Sequence, residues 1–367
     1  MAAVAKVRDS NIELFRIFLM LMIIAHHYVV NSGITELYNF DNVSGNQVFL
    51  ELWGWGGKVG INCFLLITGY FMCKQDFTWR KFLKLYLEVK FYQLLFYSLF
   101  CFIGKHEFSL SDCFFNIFKV ADNMGKSFTA SYIALFLLIP FVNKLIHSLD
   151  CVGHTRLLLV LLFIYTVIST FFFNSFFEYI GWYVTVYLMG AYIRLYPTSR
   201  MNDARWSITA MVIALILSFG SILLITYVRQ LNAHMHIYNF VNDSNRLLAI
   251  VSAVAFFLFF KNLDLGRSKV INTIATATFG ILLIHANGQV RPWLWEEFLK
   301  VKDYFSSDYL WLHAIVSCIA IYLTCCVLDI LRQKLIEKPL FMWLDKRFPF
   351  LNVPVALESH TEEGQNK

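Results

Sequence analysis

Arg16 and His27, near the start of the chain, are residue types that do chemistry, placed where such residues are costly. An imidazole can take and return a proton near neutral pH, and a guanidinium can hold anionic oxygens. Both lie in an apolar run, residues 12–30, where titratable groups usually face a cavity or a partner. In an α-helix the eleven-residue step between them rises about 16 Å and turns about 1100°, so they share a face within about 20°. Glu13 falls about 60° to one side of Arg16, at the i,i+3 spacing that allows an ion pair. His26 is turned about 80° from Arg16. One stripe therefore runs from a charged pair to an imidazole. Two structural uses stay open: Arg16 reaching for headgroups, and His27 bonding a neighbouring helix.

The elements that must carry these groups follow from composition. Hydrophobic residues make up 58% of the 367 and charged residues 15%, with 37 Phe and 18 Tyr. Soluble domains carry about 25% charge, so the chain reads as an all-α, polytopic integral membrane bundle. A span needs roughly 20 mostly apolar residues. Ten segments qualify: 12–30, 57–73, 82–103, 127–146, 156–174, 177–196, 207–228, 247–263, 270–290 and 310–331. The first lacks a small-x-small cleavage site and reads as a retained anchor rather than a signal peptide. Of the basic residues between spans, 21 fall on the side of the termini and 9 on the other. The excess puts both termini in the cytoplasm of a multi-pass protein of the cell (plasma or inner) membrane. Residues 1–351 read as one membrane domain and 352–367 as a short disordered polar tail. The net charge of +6 is this cytoplasmic excess, with no nucleic acid implied. The 8 Cys show no ligand spacing, and His234 and His236 lack further ligands nearby, so no metal is expected.

The pattern Glu13-x-x-Arg16, ten residues, then His27 resembles the opening of the acyltransferase-3 family, polytopic enzymes that O-acylate surface glycans and other acceptors. Gly60-Ile61-Asn62-Cys63-Phe64-Leu65-Leu66-Ile67-Thr68-Gly69-Tyr70 resembles its second-span motif, which often has Asp where this chain has Asn62. Trp79-Arg80-Lys81-Phe82-Leu83-Lys84-Leu85-Tyr86 is similar to its basic third-span opening, where Lys81 and Lys84 replace the usual Arg. Ser131-Tyr132-Ile133-Ala134-Leu135-Phe136-Leu137-Leu138-Ile139-Pro140, Phe279-Gly280-Ile281-Leu282-Leu283-Ile284-His285 and Leu335-Ile336-Glu337-Lys338-Pro339 resemble its fourth-span, late and closing elements. The resemblance covers nearly the whole chain.

It implies a membrane O-acyltransferase moving an acyl group, foremost acetyl, from acyl-CoA to a glycan or lipid-linked saccharide hydroxyl. Acetyl-CoA would be a substrate rather than a resident cofactor. Such transfer needs a base and a grip on the donor. The resemblance implies His27 as base. Arg80, Lys81 and Lys84 would meet the donor's phosphates, although cytoplasmic cations also bind anionic lipid. Arg16 would orient pyrophosphate or the thioester carbonyl, with Glu13 holding its guanidinium. His285, Asn62, Tyr132 and Arg291 would line the acceptor site, and Trp293 and Trp295 suit a sugar-stacking rim. Each of these also has a structural use, as interhelical glue or interfacial anchor. A transporter or flippase is the competing reading, since carriers too use intramembrane Arg and His. No internal repeat pairs the two halves, which disfavours it.

Overall fold

The computed structural model describes residues 9–118, 127–172, 179–230, 239–241 and 243–355. The chain is all-α: the described residues form no strand, and an isolated bridge pairs Thr78 with Pro354. Each of the ten apolar segments contains a helix, though several helices stop short of the segment's ends. They are α1 (Ser10–Val30), α2 (Gly57–Met72), α3 (Trp79–Phe102), α4 (Phe128–Ser148), α5 (Cys151–Phe171), α6 (Tyr179–Leu195), α7 (Ala204–Gln230), α8 (Leu247–Lys261), α9 (Lys269–His285) and α10 (Leu310–Arg347). Among the described residues five are long and apolar enough to cross a membrane unaided: α1, α4, α5, α7 and α10. The sixth is a pair, α9 and Val290–Tyr304, bent by 91°. Helices α2, α6 and α8 are apolar but have only 16, 17 and 15 residues, while α3 has 24 and carries several charges.

The segment read as one span over 270–290 is broken. Its helix is interrupted at Thr276–Ala277, ends at His285 and turns through Asn287 and Gly288. Three threonine hydroxyls, of Thr273, Thr276 and Thr278, donate back to carbonyls three or four residues earlier. Such bonds compete with the helix ladder and loosen it. Past α9, the Asn287 side-chain oxygen accepts from the Gln289 amide, which stabilises the turn. The tail also differs from expectation at its start. Asn352 donates to Asp345, Pro354 bridges to Thr78, and the Val355 amide donates to the Phe77 carbonyl, so residues 352–355 are seated against the start of α3. Residues 356–367 lie outside the described residues, as do His234 and His236.

Helix α1 is the axis of the bundle. Ile12, Phe15 and Leu19 pack into a core built from α2, α4, α6 and α8, while Met20, Ile24 and Tyr28 pack into a second core with α9 and α10. The start of α1 is pinned by polar contacts: the Ser10 hydroxyl donates to Asn272 and accepts from the Ser268 amide, and Asn11 donates to the Lys261 carbonyl. Helices α2 and α6 cross at backbone contact. A Cβ on Gly69 would lie 2.1 Å from the Tyr187 carbonyl oxygen, and one on Gly190 2.4 Å from that of Leu66. Small residues permit this approach, and packing rather than a hydrophobic drive holds helices together in lipid. The outward faces of the bundle carry exposed aliphatic side chains, among them Ile213, Ile216 and Leu224 on α7 and Val316, Leu323 and Val327 on α10.

Candidate active site

His27 and His285 meet between α1 and α9. His285 is fully buried, and its Nδ1 lies 2.6 Å from the Ile281 carbonyl oxygen one turn earlier. A carbonyl only accepts, so in neutral His285 Nδ1 carries the proton and Nε2 is a lone pair. That nitrogen lies 3.0 Å from Nδ1 of His27, which must then be the donor. The chain of bonds leaves Nε2 of His27 unprotonated. The side chain of His27 lines a cavity of about 480 Å³. His26 faces another way, its Nδ1 donating to the Gly54 carbonyl at 2.6 Å.

Two cavities flank α1. The one at the His27 end is also lined by Lys58, Tyr92, Gln93, Tyr179, Asn287 and Arg291. The other, about 310 Å³, is lined by Arg16, Thr68, Lys81, Lys84, Glu88, Tyr132 and Thr278. Phe128 and Leu282 line both, so they form the partition between them. The α-helical rise separates Arg16 from His27 by about 16 Å. This is the stripe expected from spacing, with a cavity at each end.

Arg16 does not pair with Glu13. Its guanidinium makes no ion pair among the described residues, and its buried Nε has no hydrogen-bond partner. Glu13 is buried against the bundle, whereas Arg16 is turned into its cavity. The angular step between them let packing send them apart. Arg16 is thus a partly buried cation without an ion-pair partner among the described residues, in a cavity that Glu88 also lines.

The basic trio divides. Lys81 and Lys84 line the Arg16-end cavity. Lys84 also pairs with Glu337 at 2.6 Å, and Lys81 donates to the Asp76 carbonyl at 2.7 Å. Arg80 is absent from that lining. Its Nε and Nη2 bind Asp345 at 2.7 and 3.0 Å, and it stacks over Phe341, so it docks the end of α10 onto α3. The four residues expected to line an acceptor site also part. Arg291 lines the His27-end cavity, whereas Tyr132 lies in the other, its hydroxyl 3.1 Å from that of Thr68. His285 stands behind His27. Asn62 is fully buried, donating to the Ser244 carbonyl at 2.6 Å and accepting from the Trp182 indole at 3.0 Å, which makes it interhelical glue. Trp295 is fully buried edge-on to Tyr28 and Trp293 stacks on Phe298, so Trp295 forms no exposed rim.

Sequence reasoning passed over a buried ionic cluster. Arg332 binds Glu88, Asp329 and Glu337 at 2.9, 2.7 and 2.9 Å. Asp329 also accepts from Tyr92 and Gln333, both at 2.7 Å. Gly280 makes room for it, since a Cβ there would lie 2.2 Å from the Asp329 carboxyl carbon. Glu88 lines one cavity and Tyr92 the other, so the cluster braces the wall that both share. Glu88 and Asp329 were legible as acids inside apolar runs. Lys58 was not: a lysine at the edge of a span is ordinary.

The sequence profile of the acyltransferase-3 family, described as an acyltransferase domain, matches residues 9–330. No curated protein and no solved structure matches the chain.

Proposed function

The chain belongs to the acyltransferase-3 family, and from that premise we propose that it transfers an acyl group, acetyl foremost, from cytoplasmic acyl-CoA to a hydroxyl of a cell-surface glycan or its lipid-linked precursor. The observation that carries this reading is the bonded series Ile281–His285–His27, which leaves a lone pair on Nε2 of His27 in a cavity. We place all ten helices in the cell membrane with both termini cytoplasmic, which opens the Arg16-end cavity inward and the His27-end cavity outward. Phosphates of the donor would meet Lys81, Lys84 and Arg16, and the acyl-pantetheine arm would pass between Phe128 and Leu282 toward His27.

In the direct mechanism, Nε2 of His27 takes the proton of the acceptor hydroxyl as its oxygen bonds to the thioester carbon. The tetrahedral intermediate then collapses, the C–S bond breaks, and the thiolate takes the proton back from Nε2. His285 holds the imidazole in the required tautomer and orientation, a role that a carboxylate plays in hydrolase triads. The same free nitrogen would serve as nucleophile in a route through an acyl-imidazole. The test is acetyl-CoA binding and thioester consumption by protein in nanodiscs, with and without glycan acceptor. We expect His27→Ala to keep donor binding and lose turnover. Folded protein that neither binds nor consumes any acyl-CoA would remove the donor assignment, and flux assays would then test a carrier role.

A further inference from the structure

Positive charge gathers at the His27-end cavity. Lys58 enters it from α2 and Arg291 from the bent segment after α9, and no aspartate or glutamate among the described residues lines it. Lys58 lies 3.3 Å from the Tyr179 hydroxyl and 3.8 Å from Asp243, whose side chain is 39% exposed, so its charge is only loosely matched. The Arg291 side chain, which is exposed, makes no hydrogen bond or ion pair among the described residues. In the reading above, His27 becomes an imidazolium while the tetrahedral intermediate forms. Two cations sharing its cavity oppose that gain of charge, and a neutral sugar would leave the opposition standing. An anionic group on the acceptor would remove it, and would do so most when the proton is on His27.

Resting on that reading, we propose that the acceptor is an anionic saccharide, with a carboxylate or phosphate seated between Arg291 and Lys58 while its hydroxyl meets Nε2 of His27. The guanidinium fork of Arg291 suits either anion by paired hydrogen bonds. Gln93, Tyr179 and Asn287 supply neutral donors and acceptors for sugar hydroxyls in the same cavity.

Binding of three probes to the full chain in nanodiscs tests this: methyl β-glucuronide, glucose 1-phosphate and methyl β-glucoside. At least one charged probe is expected to bind about tenfold or more tightly than the glucoside, one charge-assisted hydrogen bond's worth. The ranking of glucuronide against glucose 1-phosphate separates a carboxylate from a phosphate as the natural anion. Arg291→Gln should collapse the preference, and Arg291→Lys should keep part of it. Equal binding of all three probes, no binding of any, or an unchanged preference in Arg291→Gln would overturn the proposal. So would weaker desulfo-coenzyme A binding in Arg291→Gln with no change for the charged sugars, since the cations would then serve the donor. Acetyl-CoA consumption by the wild type is scored separately. Its absence would remove the donor assignment without touching the anion preference.

Discussion

The two cavities along α1 hold their charge differently. At the Arg16 end, cations are interleaved with acids: Lys84 pairs with Glu337, and Glu88 shares the lining while pairing with Arg332. At the His27 end no acid among the described residues lines the wall. The wall that the two cavities share is braced by a buried ionic cluster, which tolerates no loss of a partner. The His27 end is organised by two imidazoles and a backbone carbonyl, which in their neutral forms leave one nitrogen of His27 free. In the proposed mechanism, grip and chemistry are divided between the ends of one helix.

Substitutions at each end should break that division in different ways. Arg16→Ala removes a cation with no ion-pair partner among the described residues, so it should weaken acyl-CoA affinity by about 10- to 100-fold, the worth of a charge-assisted bond. Arg16→Lys should recover part of it in the same titration. If donor affinity is unchanged, the Arg16 end is not the donor's. His285→Ala should lower kcat by about 10- to 100-fold, as loss of a group that orients a histidine does, with donor affinity preserved. An equal fall in donor affinity would mean that the two ends are not separate. Gly280→Ala drives a methyl group into the Asp329 carboxylate and should destabilise the protein by about 1–3 kcal/mol, read as a lower Tm in detergent. An unchanged Tm would show that the brace has slack. Arg80→Ala should do least: its partner Asp345 is about one-third exposed, and such pairs contribute about 1 kcal/mol or less. A large loss of donor affinity in that variant would return Arg80 to the donor site.

Much of the architecture was legible in the residues. Apolar runs marked where the helices lie, and five of these, or six with the bent pair, are long and apolar enough to cross a membrane among the described residues, as lipid requires backbone groups to be satisfied within the segment. The break in α9 was less visible, since its threonines and Gly280 read as ordinary members of an apolar run. For the site, Arg16 and His27 stood out as titratable groups in a span. The docking of Arg80 on Asp345 depended on where the end of α10 falls, 265 residues later, and nothing local to Arg80 announces that.

By itself the sequence determined that this is a helical membrane protein with Arg16 and His27 on one face of its first helix. That much is local, since the 3.6-residue period and the length of apolar runs need no knowledge of neighbours. Tertiary structure alone decided that His285, 258 positions away, stands behind His27 and sets its tautomer. It also decided that Glu13 turns away from Arg16 and that Lys58 and Arg291 share the cavity of the base. These depend on the rotation and depth at which helices pack. In lipid those are set by close approach at residues such as Gly69, Gly190 and Gly280 and by a few buried polar bonds, not by any periodicity along the chain.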